Sequence, residues 1–248
     1  MRKDLYEDLY KTEETHWWHK AKRQFIKQFI ATYIQKKNLT ILDVGCGTGK
    51  NMEEFAQYGN VWGVDMSDDA LSFCKKRGLV QVKQGRAELL PFPENTFDVV
   101  CVLDVWEHVD DAASIREIKR VLKNNGFVIG TVPAFGWLWS RWDEILHHKR
   151  RYTKNHLEEI LAKEDFAVKR NTYIHSFLVV PVFIVRKLKQ LQKKSYSSDF
   201  QINNALINRL LLFISKLEQL WVNRYDMPFG TSILCIAQKK ENQQNSHS

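Results

Sequence analysis

The run Leu42-Asp43-Val44-Gly45-Cys46-Gly47-Thr48-Gly49 is the part of this chain best suited to hold a ligand. Glycines accept positive φ in a tight turn and let the backbone come close to a bound molecule. The spacing is G-x-G-x-G, which differs from the G-x-G-x-x-G of pyrophosphate-binding dinucleotide sites. Asp65 follows 20 residues after Gly45. An acid there can accept hydrogen bonds from both ribose hydroxyls of a nucleoside. A glycine turn and an acid at this separation point to an adenosine-type cofactor, either a nicotinamide dinucleotide or S-adenosylmethionine.

Such a site needs a strand that ends in the turn and a second strand that ends at the acid. Both are legible. Residues 39–44 form a short aliphatic run ending in the glycines, 49–58 read as a helix, and 61–64 read as a strand ending at Asp65. Ser67 is placed to cap the next helix and Gly78 to follow its last turn. Residues 79–83 read as a third strand. Residues 97–103 read as a fourth, apolar almost throughout as in a strand buried on both faces. An amphipathic helix over 112–122 and a fifth strand over 127–132, stopped by Pro133, continue the alternation. Upstream, residues 13–37 carry Phe25, Ile26, Phe29, Ile30 and Tyr33 at helical spacing. Downstream, Thr153 can cap a helix carrying Leu157, Ile160 and Leu161. A sixth strand follows over 166–173, then apolar, basic-flanked segments over 177–191 and 202–222 with a polar break at 195–199, and a last strand over 231–237. This order predicts a parallel sheet with helices on both faces, and ligands in such sheets sit beyond the carboxyl ends of the strands.

At this point the chain resembles the class I S-adenosylmethionine-dependent methyltransferases. The resemblance rests on LDVGCGTG, on GVDMS at 63–67, on QGRAELLPF at 84–92, on FDVVCVLDVWEHV at 97–109 and on RVLKNNG at 120–126. It implies a Rossmann-like seven-stranded, mostly parallel sheet, its last strand antiparallel and inserted beside the sixth. PFGTSILCIAQKK at 228–240 is similar to that closing strand. It also implies S-adenosylmethionine as cofactor. Asp43 with Gly45, Cys46, Gly47 and Gly49 would face its methionine part, Asp65 its ribose, and Asp104 the opening beside the sulfonium. Met66 belongs to the same set. Many relatives have an acid at the position of Arg86 that contacts the adenine; Arg86 cannot accept a hydrogen bond, so adenine recognition is expected at the Ala87 backbone amide or Glu88. The implied organisation is an N-terminal helical lid over 1–37, a methyltransferase domain over 38–240 with a helical insertion at about 176–224, and a disordered tail over 241–248.

Methyl transfer depends on alignment and desolvation, and a base helps where the acceptor must lose a proton. The loop 132–153 resembles a bacterial subgroup linked with polysaccharide and lipid-linked glycan metabolism. There the pattern W-S-x-x-D-x-x-x-x-H-x-R-R-Y recurs, matched here by Trp139, Ser140, Asp143, His148, Arg150, Arg151 and Tyr152. His148 is the expected general base with Asp143 as its orienting partner; Trp18, Trp139, Arg151 and Tyr152 are expected at the acceptor. The alternative for this loop is a solvated basic turn with aromatic packing. In methyltransferases of this kind an N-terminal helix often covers the cofactor cleft, and Arg23 would then meet the cofactor's carboxylate. Asp104, Glu107 and His108 form D-x-x-E-H, but metal ligation needs three or four converging groups. Neighbours on a helix do not face each other, so no metal is expected.

Composition leaves the class open and narrows the setting. With 44% apolar and 27% charged residues the chain is of ordinary globular type. Four scattered cysteines without C-x-x-C spacing argue against a disulfide framework or a zinc site. No secretory signal is evident, and no apolar run approaches the ~20 residues of a membrane span; a cytoplasmic location is expected, either free or peripheral to the inner face of the membrane. The net charge of +8 fits plain solubility, an anionic substrate or an anionic surface. In the insertion, Ile202, Leu206, Leu210, Phe213, Leu217 and Leu220 follow helical spacing, and Arg186, Lys187, Lys189, Lys193 and Lys194 flank the other segment. These segments either lie peripherally on an anionic membrane or pack on their own domain or on a second copy. The expected acceptor is a small molecule or a lipid-linked sugar. A nucleic-acid methyltransferase and a non-catalytic cofactor-binding protein are the alternatives; nucleic acid is not expected as a partner, because the basic residues form no continuous stripe.

Overall fold

The computed structural model describes residues 3–191 and 204–241. The expected break at 195–199, Lys193, Lys194, Ile202 and the tail from 242 onward lie outside the described residues. Two helices, α1 (Lys3–Thr12) and α2 (Trp17–Tyr33), precede an alternation of strands and helices. These are β1 (Leu39–Val44), α3 (Lys50–Phe55), β2 (Gly59–Asp65), α4 (Asp68–Lys76), β3 (Val82–Gln84), β4 (Phe97–Leu103), α5 (Asp111–Val121) and β5 (Leu122–Pro133). Then follow α6 (Arg141–Ile145), α7 (Lys154–Lys163), β6 (Phe166–Ile174), α8 (Val179–Leu191), α9 (Ala205–Val222) and β7 (Ser232–Lys239). The seven strands form one sheet in the order β3-β2-β1-β4-β5-β7-β6, and β7 runs antiparallel to both neighbours while the other pairs are parallel. The expected Rossmann-like sheet, with its antiparallel closing strand beside the sixth, is thus present.

Strand alternation divides the core between the two faces. Leu42, Val44, Val100 and Val102 turn toward α5 and α7, whereas Ile41, Val99 and Cys101 turn toward α2 and α3. Successive side chains of a strand point to opposite faces, so a strand covered on both sides must be apolar at every position. β4 meets that demand at all but Asp98, whose carboxylate is bound by Lys36, Lys123 and the Thr40 amide. Ser67 caps α4 by accepting from the Ala70 amide, and Thr153 caps α7 by accepting from the His156 amide.

Four boundaries differ from the sequence expectation. The third strand lies at β3, three residues later than its expected start. β5 begins at Leu122, because the chain extends directly from α5. The helix expected over 49–58 ends at Phe55 and tightens into a 3₁₀ turn over Ala56–Tyr58. The N-terminal helix expected from residue 13 starts at Trp17, as α2 capped by His16, and a further helix that was not expected, α1, precedes it. Among the described residues no helix is long and apolar enough to cross a membrane.

The fully buried Trp106 ring lies against the β5 backbone at Gly130, where a Cβ would come within 2.5 Å of the indole Cζ3. Overpacking of this kind costs about 1–3 kcal/mol. Gly130→Ala is therefore expected to lower Tm by roughly 2–10 °C in thermal denaturation; an unchanged Tm would show that the indole yields without cost.

Candidate active site

β1 delivers Asp43 and the glycine turn to the carboxyl end of the sheet. Gly45, Gly47 and Gly49 have φ of 70°, 54° and 86°. At Gly45 the space is closed as well, since a Cβ would lie 2.5 Å from Val105 Cγ2. The turn is pinned to β2 by the Gly45 and Cys46 amides, which donate to the Val64 carbonyl at 2.8 and 3.1 Å. Asp65, at the end of β2, accepts from the Gly47 amide at 3.0 Å and the Ser67 amide at 2.9 Å. A carboxylate has about four acceptor sites, so two remain for a diol. Met66 beside it is 68% exposed, an apolar surface held open at the cleft. Ala87 is buried next to Arg86, whose exposed guanidinium pairs with Glu88 at 3.6 Å. Cys46 is buried against Cys74; that contact and burial push its thiol well up, so it contributes backbone and packing rather than reactivity.

Asp43 is the most telling group. It is buried, and neither carboxylate oxygen has a hydrogen-bond partner. Burial, with Asp65 and Glu13 nearby, pushes its carboxyl up to about 8. A buried carboxyl without partners is costly, and a cationic ligand group at the turn relieves it. The ammonium of the methionine part of S-adenosylmethionine meets that need, so the residues present fit this cofactor. A carboxyl that titrates near 8 when folded and at roughly 4 when unfolded stabilises the fold fully below the lower value and loses that contribution as pH rises through the higher one. The Tm of Asp43→Asn relative to the parent chain is therefore expected to rise between about pH 5 and about pH 9. A pH-independent difference would contradict the shift.

α1 lies over this turn. Leu9 comes within 3.7 Å of where a Gly47 Cβ would stand, and Tyr6 is buried beside Asp65 with its hydroxyl bonded to Ser67. The Glu13 carboxylate receives the Thr48 hydroxyl and pairs with Arg77 at 2.6 Å. None of Tyr6, Leu9, Glu13 or Arg77 was singled out from the sequence, although Tyr6, Leu9 and Tyr10 already have helical spacing. The expectation for Arg23 needs correction. Its guanidinium pairs with Glu54 at 2.7 Å and donates to the Glu13 carbonyl at 2.7 Å. It thus positions the segment that carries Glu13, whose carboxylate receives the Thr48 hydroxyl of the turn.

The second half of the site gathers where β4 and β5 end. Asp104 has φ of 55°, an uncommon value for a residue with a side chain. Its carboxylate accepts from Thr131 Oγ1 at 2.8 Å and from Lys22 Nζ. Burial would raise its pKa, but Lys22 and Thr131 prevail and hold it below the usual carboxylate range. Lys22 also lies over the Trp18 ring, which packs at a 30° tilt against His175, centroids 4.3 Å apart. His175 is fully buried in the left-handed region, neither ring nitrogen has a hydrogen-bond partner, and burial lowers its pKa to about 3. No motif or spacing marks it in the sequence.

Asp143 and His148 meet as expected. Asp143 Oδ1 lies 2.9 Å from His148 Nδ1 and 2.8 Å from Arg151 Nε, and Oδ2 accepts the Ser140 amide at 2.8 Å within a capping box on α6. Burial opposes ionisation of Asp143, yet His148, Arg151 and the Ser140 amide hold it far below the usual range. With Nδ1 engaged, Nε2 is the nitrogen left for chemistry. The His148 ring stands edge-on to His108 at 4.7 Å. Glu107, His108 and His148 bring one ligating atom each within 4.8 Å of one another. Residues 104–109 form a turn, not a helix, so the neighbours Glu107 and His108 do converge, contrary to the divergence assumed from sequence. These three groups could hold a divalent cation. Burial, with Asp104 nearby, drives the Glu107 carboxyl well up, and burial beside His148 lowers His108 to about 4.

Two acceptor-side expectations are overturned. Tyr152 is fully buried, its hydroxyl 2.8 Å from Asp111 and 3.1 Å from the Trp106 carbonyl, so it is a core residue. Arg151 gives its fork to Asp143 and to the Ala134 carbonyl, and Arg150 pairs with Asp111 at 2.7 Å. Arg151, expected at the acceptor, and its neighbour Arg150 thus close on the protein's own carboxylates. Trp139 is half-buried and lines a small groove with Trp137 and Arg186.

Residues 42–130 match the family model described as a methyltransferase domain. An uncharacterised methyltransferase of Schizosaccharomyces pombe is 35% identical over 131 residues, which are 46% of this chain and 46% of that protein. A ubiquinone biosynthesis O-methyltransferase of Hydrogenovibrio crunogenus is 34% identical over 113 residues, 42% of this chain and 45% of that one. The chain thus spans about half the length of these curated relatives. A Thermotoga maritima structure, described as an S-adenosylmethionine-dependent methyltransferase and possible histamine N-methyltransferase, superposes with a TM-score of 0.60. It has 17% identity, and 96% of each chain is covered. The YcgJ protein of Bacillus subtilis superposes at 0.56 with 17% identity, over 88% of this chain and 99% of that one. The fold is the Rossmann-like methyltransferase fold, and the segment bearing the glycine turn, Asp65 and Asp104 is the one that matches the methyltransferase-domain model.

Proposed function

We propose that this chain, built around its methyltransferase domain, transfers a methyl group from S-adenosylmethionine to a small-molecule or lipid-linked sugar acceptor. The observation that carries the proposal is the buried, unpartnered Asp43 carboxyl at a glycine turn that ends 3.0 Å from Asp65. Asp43 and the backbone of Gly45, Gly47 and Gly49 hold the methionine part, and Asp65 accepts from the ribose hydroxyls. Met66 and Ala87 border the adenine. Bound there, S-adenosylmethionine supplies an electrophilic methyl group on a sulfonium. Asp104, fixed by Lys22 and Thr131, shapes the opening where the acceptor enters. His148, with Nδ1 fixed by Asp143, is the residue through which the acceptor is activated. Trp18 and Trp139 provide apolar walls, while α1 and α2 exclude water from the cleft.

Labelled S-adenosylmethionine incubated with a panel of sugar nucleotides, lipid-linked sugars and RNA tests this. Label transferred to a sugar acceptor is the expected result. Transfer to RNA alone would replace the acceptor class, and cofactor binding without transfer to any acceptor would favour a binding protein.

A further inference from the structure

Helix α9 is built inside out. Its buried residues are Asn208, Ser215, Glu218 and, at its last turn, Val222, while Leu206, Leu210, Phe213, Leu217 and Leu220 are between 51% and 73% exposed. Those five follow a 4-3-4-3 spacing and form one stripe along the helix. A helix at the surface of a water-surrounded protein shows the opposite arrangement, so the outer face of α9 is made for a second apolar phase. The polar inner face has its own reason. Glu218 accepts from the His175 and Ser176 amides at 3.0 and 2.7 Å, and Asn208 accepts from the Trp17 amide at 3.3 Å. These bonds anchor α9 to the segments that carry Trp18 and His175, at the acceptor end of the cleft. α8 exposes apolar side chains as well, Val180, Phe183 and Ile184, and Phe183 meets the exposed Trp137 ring edge-on.

Charge identifies the phase. The ionisable residues of α8 are Arg186, Lys187 and Lys189, and those of α9 are Arg209, Lys216 and Glu218. The one acid, Glu218, is buried, whereas Lys187, Arg209 and Lys216 are exposed. A two-fold contact between copies would bring such cations toward one another; anionic headgroups neutralise them. Trp221 and Tyr225, in ring contact at 5.1 Å and both exposed, close the stripe with the residue types that favour a membrane–water interface.

We propose that the outer faces of α8 and α9 dock this protein on an anionic lipid bilayer, with the acceptor end of the cleft beside that surface. An amphipathic helix with cationic flanks lies in the interface plane and does not span it. The proposal deepens the functional reading, and rests on it, in one respect: it selects the lipid-linked form of the acceptor, whose head would rise from the membrane into the cleft.

The test is sedimentation of the full chain with vesicles of phosphatidylcholine alone and with about 30% phosphatidylglycerol, at low and high salt. It is run in parallel on the double variant Leu210→Glu and Leu217→Glu, with S-adenosylhomocysteine affinity and Tm measured on both proteins. The expected result is binding to the anionic vesicles, weakened by salt, and reduced about a hundredfold or more in the double variant while affinity and Tm hold. Absence of binding at low salt would overturn the proposal. So would equal binding to neutral vesicles, undiminished binding of the folded double variant, or a concentration-dependent dimer that the variant abolishes. The nucleoside titration separates the two readings: if it succeeds and sedimentation fails, only the membrane face falls; if it fails, the functional reading falls by itself.

Discussion

Asp65→Ala is expected to weaken S-adenosylhomocysteine binding by at least about a hundredfold. Two hydrogen bonds from ribose hydroxyls to a charged acceptor are worth about 1.5–3 kcal/mol each, and about 1.4 kcal/mol is a factor of ten. The same carboxylate also receives the Gly47 and Ser67 amides, so its loss loosens the turn and adds to the effect. Asp65→Asn separates the two roles. Its amide oxygen can still accept from a backbone amide, but it has neither the charge nor the spare acceptor sites for a diol. Titration calorimetry on both variants, with circular dichroism to show that each is folded, is the check. Unchanged affinity in a folded Asp65→Ala protein would place the ribose elsewhere.

His148→Ala is expected to lower kcat by about 10²–10⁴-fold, the usual span for loss of a group that assists proton transfer. Its effect on S-adenosylhomocysteine affinity is expected to be less than about threefold, because His148 stands on the acceptor side. The variant should fold, since Asp143 keeps Arg151 and the Ser140 amide. Asp143→Ala is different. It leaves the 5%-exposed Arg151 side chain without its carboxylate, and breaking a buried pair in this way costs about 3–5 kcal/mol. That variant is expected to lose stability and activity together, whereas His148→Ala loses activity alone. Equal losses of cofactor affinity and turnover in His148→Ala would remove His148 from the acceptor side.

Much of the cofactor half was legible because it is local. The glycines at 45, 47 and 49, the β4 run that is apolar at all but Asp98, and the Ser67 cap declare themselves within a few residues, and the order of alternating elements fixes which strand ends lie together. The acceptor half depends on partners far apart in sequence. Arg150, Arg151 and Tyr152 have the right chemistry for an anion, but Asp111 and Asp143 reach them first. No periodicity distinguishes an arginine that meets a ligand from one that meets its own fold. Glu107 and His108 were judged by helix geometry, and the chain there is a turn. α1 was overlooked because KDLYEDLYKT is mostly polar, and its few large side chains matter only once the glycine turn is beneath them. The apolar spacing of α9 was also read correctly, but spacing does not reveal which face turns inward. That depends on Glu218 and Asn208 finding backbone amides at the acceptor end.

The most direct test of the central claim is calorimetric titration of the protein with S-adenosylmethionine, S-adenosylhomocysteine and NAD. One site per chain is expected to bind both sulfur nucleosides with Kd on the order of micromolar (about −8 kcal/mol), with no comparable heat from NAD. Tighter binding of NAD, or no binding of either sulfur nucleoside by the folded protein, would contradict it.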